Sequence, residues 1–193
     1  MKHYALLLPL ALAVTACSPE AEEPVADETT VATAEPAALE PAATPEPAAS
    51  ADANTLTLAG LGDLRIGEPV PAGSSFASRG AQIPGTTCRT VSSPDFPGVH
   101  AMTVDDEVRR ITLSDESEVA LVEGIGVGAT EAEVRAAFPG FEESPHQYLA
   151  APGKYLTQPG EDPRLHFEIA ADETVSLIHV GALPELIWVE GCA

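Results

Sequence analysis

The chain has 193 residues, 45% of them hydrophobic and 20% charged, with 30 Asp and Glu against nine Lys and Arg and a formal net charge of −21. No basic face is available to hold a phosphate backbone, which excludes nucleic acid as a partner, and the same repulsion argues against lying on anionic lipid. Basic proteins and cations remain admissible, the plainer role of the acidity being solubility.

In chain order, Lys2 and His3 precede an apolar run of 11 residues, Tyr4 to Val14, broken by Pro9. A membrane-spanning helix needs about 20 apolar residues to cross about 30 Å of hydrocarbon, so this run is too short to span. It matches the apolar region of a secretory signal. Val14-Thr15-Ala16-Cys17 resembles the lipobox of bacterial lipoproteins. The resemblance implies removal of residues 1–16 and attachment of lipid to the sulfur and new amino group of Cys17. Ser18, standing where Asp would retain the protein at the inner membrane, implies sorting to the outer membrane, with the domain in the periplasm or at the cell surface. The alternative is a plain secretory signal with an incidental cysteine.

Residues 17–53 are dominated by Ala, Pro, Glu and Thr and carry nine acids with no Lys or Arg. Such a segment buries too little apolar surface to offset its ordering entropy. Proline and like charges stretch it, up to a reach on the order of 100 Å. It reads as a tether between a lipid anchor and a domain.

Residues 54–193 form a domain of 140 residues, long enough for a real core, with 21 acids against eight Lys and Arg. Once Cys17 is lipidated, Cys88 and Cys192 remain, and an even pair in an oxidising compartment suggests a disulfide. Closing a loop of that length is worth up to about 4.7 kcal/mol in the chain-entropy model. A reactive thiol pair is the weaker reading, since C-x-x-C spacing is absent.

Within the domain, "EVALVEG" (Glu118 to Gly124) and "ELIWVEG" (Glu185 to Gly191) lie 67 residues apart. At the same offset, Val108, Ile111 and Leu113 match Val175, Ile178 and Val180. Leu64-Arg65-Ile66-Gly67 matches Ile125-Gly126-Val127-Gly128 at an offset of 61. These words suggest two repeats, about residues 60–124 and 125–193. In the second, Thr130 and Glu133 have capping-box spacing, Val134 and Phe138 share one helix face, and Pro139-Gly140 stops the helix. Leu165, Phe167 and Ile169 alternate and return through Ile178 and Val180, and Leu186 to Val189 reads as a further strand with Trp188 in the core. In the first, Met102 and Val104 lead through a turn to Val108–Leu113, while Pro69 and Pro71 weaken the helix. The predicted fold class is α+β: two tandem repeats, each a short helix packed on three or four antiparallel strands.

The word Gly128 to Val134 and the strands after it resemble, at the level of fold, beta-lactamase inhibitor protein and the small assembly lipoproteins of the SmpA/BamE type. The stretches "HAMTVDDEVRRITL", "GIGVGATEAEVRAAFPG" and "VEGC" resemble a family of uncharacterised proteobacterial lipoproteins. That resemblance implies no catalytic residues.

No Walker loop, G-x-S-x-G elbow or H-E-x-x-H word is present, and no cofactor is indicated. If the last hairpin turns near Asp172 and Glu173, His166 faces His179 and Glu168 shares their face. Two imidazoles and a carboxylate suit zinc with an open position; the alternative is a solvated outer face. His146, Tyr148, Lys154 and Tyr155 surround the Pro152–Pro163 loop and are candidate binding residues, or else cover a sheet edge. Arg109 and Arg110 read as surface charges. The function expected is a non-enzymatic envelope lipoprotein that reaches the membrane through its anchor and binds or scaffolds a protein partner. The alternatives are an inhibitor of a secreted enzyme such as a lysozyme or protease, and a metal-binding module or metal-dependent enzyme. The S-G-x-x-Y word of lysozyme-inhibitor lipoproteins is absent.

Overall fold

The computed structural model describes Asp52 and residues 54–193; the expected signal 1–16, Cys17 and the rest of the tether lie outside the described residues. Three short strands, β1 (Thr55–Thr57), β2 (Gly60–Leu61) and β3 (Leu64–Arg65), form a meander. Then come β4 (Ala77–Ser78), β5 (Arg89–Ser92), β6 (Val99–Val104) and β7 (Glu107–Leu113), with β5, β6 and β7 each antiparallel to the strand before. Strand β8 (Ala120–Leu121) returns to pair in parallel with β1. After helix α1 (Glu131–Ala137) follow β9 (Glu142–Pro145), β10 (Lys154–Thr157), β11 (Arg164–Ile169), β12 (Val175–Gly181) and a 3-10 turn, Glu185–Ile187. The strands build a four-stranded sheet, β3-β2-β1-β8, and an antiparallel eight-stranded sheet, β4-β5-β6-β7-β12-β11-β10-β9.

The predicted α+β fold of two helix-and-sheet repeats is therefore incorrect. The protein is mostly β, and α1 is the one α-helix among the described residues. The region expected to hold the first helix has Pro69 and Pro71 without N–H donors and Gly73 at φ +90°, so it turns instead. The recurring "VEG" words do not share a structure either. The first is β8 and its turn; the second follows Pro184 into the 3-10 turn. What the offset of 67 does mark is the central pair: Val108, Ile111 and Leu113 on β7, and Val175, Ile178 and Val180 on the adjacent β12, all buried. Both strands meet the same burial demand, which is enough to make their sequences alike.

The core sits on one face of the large sheet. Ile111, Leu113, Phe167, Ile169, Ile178 and Val180 pack with Leu56, Leu61, Leu64 and Leu121 of the small sheet and Val134 of α1. Helix α1 begins as the spacing predicts: Thr130 Oγ1 accepts from Glu133 N–H, and the Glu133 carboxylate accepts from Thr130 N–H. Phe138 then lies 5.7 Å from the Phe167 ring, fixing the helix on the sheet.

The opposite face of the sheet is covered by residues 182–193, which cross it as a strap. The register shifts between Met102 and Thr103, leaving Arg109 as the extra residue of a bulge. Arg109 reaches the Glu185 carboxylate at 3.4 Å. Arg110 Nη1 donates to the carbonyls of Glu185, Leu186 and Trp188 at 3.1, 3.4 and 2.7 Å. The Cys88–Cys192 disulfide fastens the strap to the chain just before β5. Arg110 is thus a buried clasp, 9% exposed, and not the surface charge expected of it. Trp188 is 38% exposed at the end of the 3-10 turn, neither in a strand nor in the core.

Candidate functional site

The strapped face of the sheet carries a polar row. Antiparallel register puts Thr157, His166, His179, Thr112 and His100 side by side across β10, β11, β12, β7 and β6. The hydroxyl of Thr157 lies 2.8 Å from His166 Nδ1, and that of Thr112 lies 2.8 Å from His179 Nδ1. Two residues along β11, the Glu168 carboxylate takes two imidazoles: His179 Nε2 meets Oε1 at 3.2 Å and His146 Nε2 meets Oε2 at 3.2 Å. Tyr155 fills the space between, stacked on His146 with centroids 4.5 Å apart and tilted against His166 at 5.0 Å.

Burial decides the charges. It pushes His166 down to about 3, with His179, Arg110 and His146 adding to the effect and Glu168 opposing it. Burial also holds His179 below its ordinary value; Arg110 adds to this, and the Glu168 hydrogen bond and charge oppose it. For Glu168 burial works against ionisation, but hydrogen bonds and charge from His179 and His146 outweigh it and leave the group below the usual carboxylate range. The arrangement is one largely shielded carboxylate holding the N–H groups of two imidazoles.

His166 and His179 do face one another and Glu168 does share their face, as the hairpin spacing predicts. The zinc reading of His166, Glu168 and His179 does not follow from that meeting. Glu168 spends its two oxygens on His179 and on His146, a residue from another element, and threonine hydroxyls face the Nδ1 atoms. Among the described residues no group of three or more His, Cys, Asp or Glu side chains is placed to hold a metal ion. The outer face is not solvated either, since His166 and His179 are 6% and 4% exposed.

Above this cluster lies a groove of about 620 Å³, bounded by the strap and the chain after β9. Tyr148, Trp188, Val189 and Glu190 line it, with the Cys88–Cys192 disulfide and Val104. Tyr148 is 64% exposed, and its hydroxyl donates to the Glu190 carboxylate. Ile187 and Val189, both well exposed, extend the apolar surface along the strap.

The four candidate binding residues therefore separate. Tyr148 lines the groove. His146 and Tyr155 do not line it: Tyr155 is buried, the His146 side chain is 8% exposed, and Tyr155 OH accepts from the N–H of the lining residue Gln147 at 3.1 Å. Lys154 is bound to Glu131 of α1 at 3.1 Å and Glu143 of β9 at 3.6 Å, as a tie between helix and sheet edge. Within the expected loop Pro152–Pro163, Lys154–Thr157 is β10 and residues 158–163 lie outside any strand. Trp188, Val189, Glu190 and Arg110 were not singled out as site residues from sequence; the signal available was an aromatic and an acid close before Cys192. No protein-family model, no curated protein and no solved structure matches this chain.

Proposed function

We propose that this protein is a lipid-anchored, non-enzymatic binding module of the bacterial envelope, and that a protein partner engages the groove between the strap and Tyr148. The observation that carries this reading is the contrast between two neighbouring features. The titratable cluster is largely shielded, with Glu168 bonded to His146 and His179, whereas the groove is open and walled by exposed aromatic and aliphatic side chains. Exposed aromatic surface on a rigid scaffold is what interfaces use. The lipobox-like word at Val14–Cys17 supports the anchor, and the disulfide suits an oxidising compartment.

Two measurements test it. Mass spectrometry of the mature N-terminus, with Cys17→Ser as control, should find an acylated Cys17; an unmodified cysteine removes the anchor. A photo-crosslinking residue at position 148 in intact cells should capture a discrete partner that Trp188→Ala loses. If capture at position 148 matches that at an exposed site far from the groove, such as position 123, the binding role is wrong.

A further inference from the structure

We propose that the groove seats an arginine or lysine side chain of a basic polypeptide, with Glu190 as its counter-charge and Tyr148 and Trp188 as aromatic walls. This rests on the binding-module reading and names the chemistry of the partner.

Three observations converge. Glu190 stands in the groove, and among the described residues it makes no ion pair; its partner is the neutral Tyr148 hydroxyl, which orients the carboxylate without neutralising it. The lining contains no Lys, Arg or His. Arg110 lies behind this wall and is spent on strap carbonyls. An anionic group that shares an open groove with two aromatic rings and makes no ion pair is a setting that attracts a cation, through the carboxylate and through the ring faces together. Beside the polar Thr86, Thr87 and Gln147, the lining offers Val104, Val189 and the disulfide, which suit the methylene stem of such a side chain while its charged head reaches Glu190.

The acidity of the whole chain selects the source of the cation. A basic polypeptide is drawn toward a chain of formal charge −21, whereas the phosphate beside a choline headgroup would be repelled by it.

Trp188 is the single tryptophan of the chain, so its emission reads the groove directly. The purified full chain would be titrated with acetyl-tetra-arginine amide and with the uncharged acetyl-tetra-citrulline amide. Arginine should give a saturable change and citrulline none. Glu190→Gln should weaken arginine binding at least roughly fivefold, and Glu190→Asp should recover most of it. Glu123→Gln makes the same change in net charge in an exposed turn outside the groove, and should alter binding less than about twofold. Tyr148→Leu, at an exposed position, should weaken binding about threefold or more with thermal stability unchanged, which keeps the test open if Glu190→Gln disturbs folding.

Equal effects of Glu190→Gln and Glu123→Gln would overturn the proposal in favour of bulk charge. So would an unresponsive Trp188, or preferential binding to dioleoylphosphatidylcholine vesicles. If the crosslinked partner survived any of these results, the binding role would stand and this assignment of its chemistry would fall.

Discussion

His146 Nε2 lies 3.2 Å from Glu168 Oε2, while Nδ1 of the same ring accepts the N–H groups of Tyr148 and Leu149 at 3.0 and 3.2 Å. An Nδ1 that accepts two hydrogen bonds carries no proton, so Nε2 holds it and donates to Glu168. One imidazole thus ties the wall of the groove to the carboxylate on β11.

Glu168→Ala leaves the His146 and His179 N–H groups without their acceptor in a buried site. The expected loss is about 2–4 kcal/mol in urea unfolding, with Glu168→Gln costing about half as much because the amide keeps one acceptor. Amide exchange at Tyr148 and Leu149 should quicken in both. Unchanged exchange there, with a loss below about 0.5 kcal/mol, would contradict the fastening role.

The histidines also set an acid limit. His166 and His179 have folded values below the unfolded value, so between the two the unfolded chain binds more protons. Their stabilisation is complete above about pH 6.5 and declines as pH falls toward the folded value, about 3 for His166. Glu168, also depressed in the fold, adds a loss below the usual carboxylate range. Stability should fall by up to about 1.4 kcal/mol per pH unit from pH 6 to 4 through His166, with His179 adding a loss in the same direction. Urea midpoints across that range should flatten in His166→Gln/His179→Gln, since glutamine offers a donor and an acceptor but does not titrate. An equally steep double variant would assign the slope elsewhere.

Removing the disulfide as Cys88→Ser/Cys192→Ser frees a sequence separation of 104 residues. The expected cost is about 3–5 kcal/mol, measured by guanidinium unfolding. Trp188 emission should shift to the red as the strap lifts. A cost under about 1 kcal/mol would mean that the Arg110 hydrogen bonds hold the strap without help.

Gly181 marks where β12 passes the bulge. A methyl group there would stand 2.3 Å from Arg109 O and 2.9 Å from Arg110 Cα, both backbone atoms of the neighbouring strand. Gly181→Ala should cost at least about 2 kcal/mol by thermal unfolding, because backbone on a central strand cannot step aside as a side chain can. Near-wild-type stability would show that the bulge is pliable.

Local signals were legible in the sequence and long-range ones were not. The Thr130–Glu133 capping box, the inward alternation of Leu165, Phe167 and Ile169, and the facing of His166 with His179 each depend on residues close in sequence, and each is present. The Cys88–Cys192 pair was legible because the domain offers no other cysteine. The fold class was misread because a recurrent apolar word reports burial, and a strand or a 3-10 turn satisfies it equally. Arg110 was misread because nothing near it in sequence shows that three carbonyls of residues 185–188 converge on its side chain. Trp188 was misread for a related reason: an apolar neighbourhood resembles a core strand, but here Pro184 starts a turn and the ring is left half in solvent.

Strands β7 and β12 are enclosed on one side by the greasy interior and on the other by the strap and its polar row. The familiar every-other-residue tolerance of a sheet should therefore vanish along these two segments. A saturation library selected for folded protein would show Ile111 and Val180 refusing charge, and Arg110 and His179 equally resistant to change. At the outer strands β4 and β9, whose side chains stand exposed, the same library would accept almost anything.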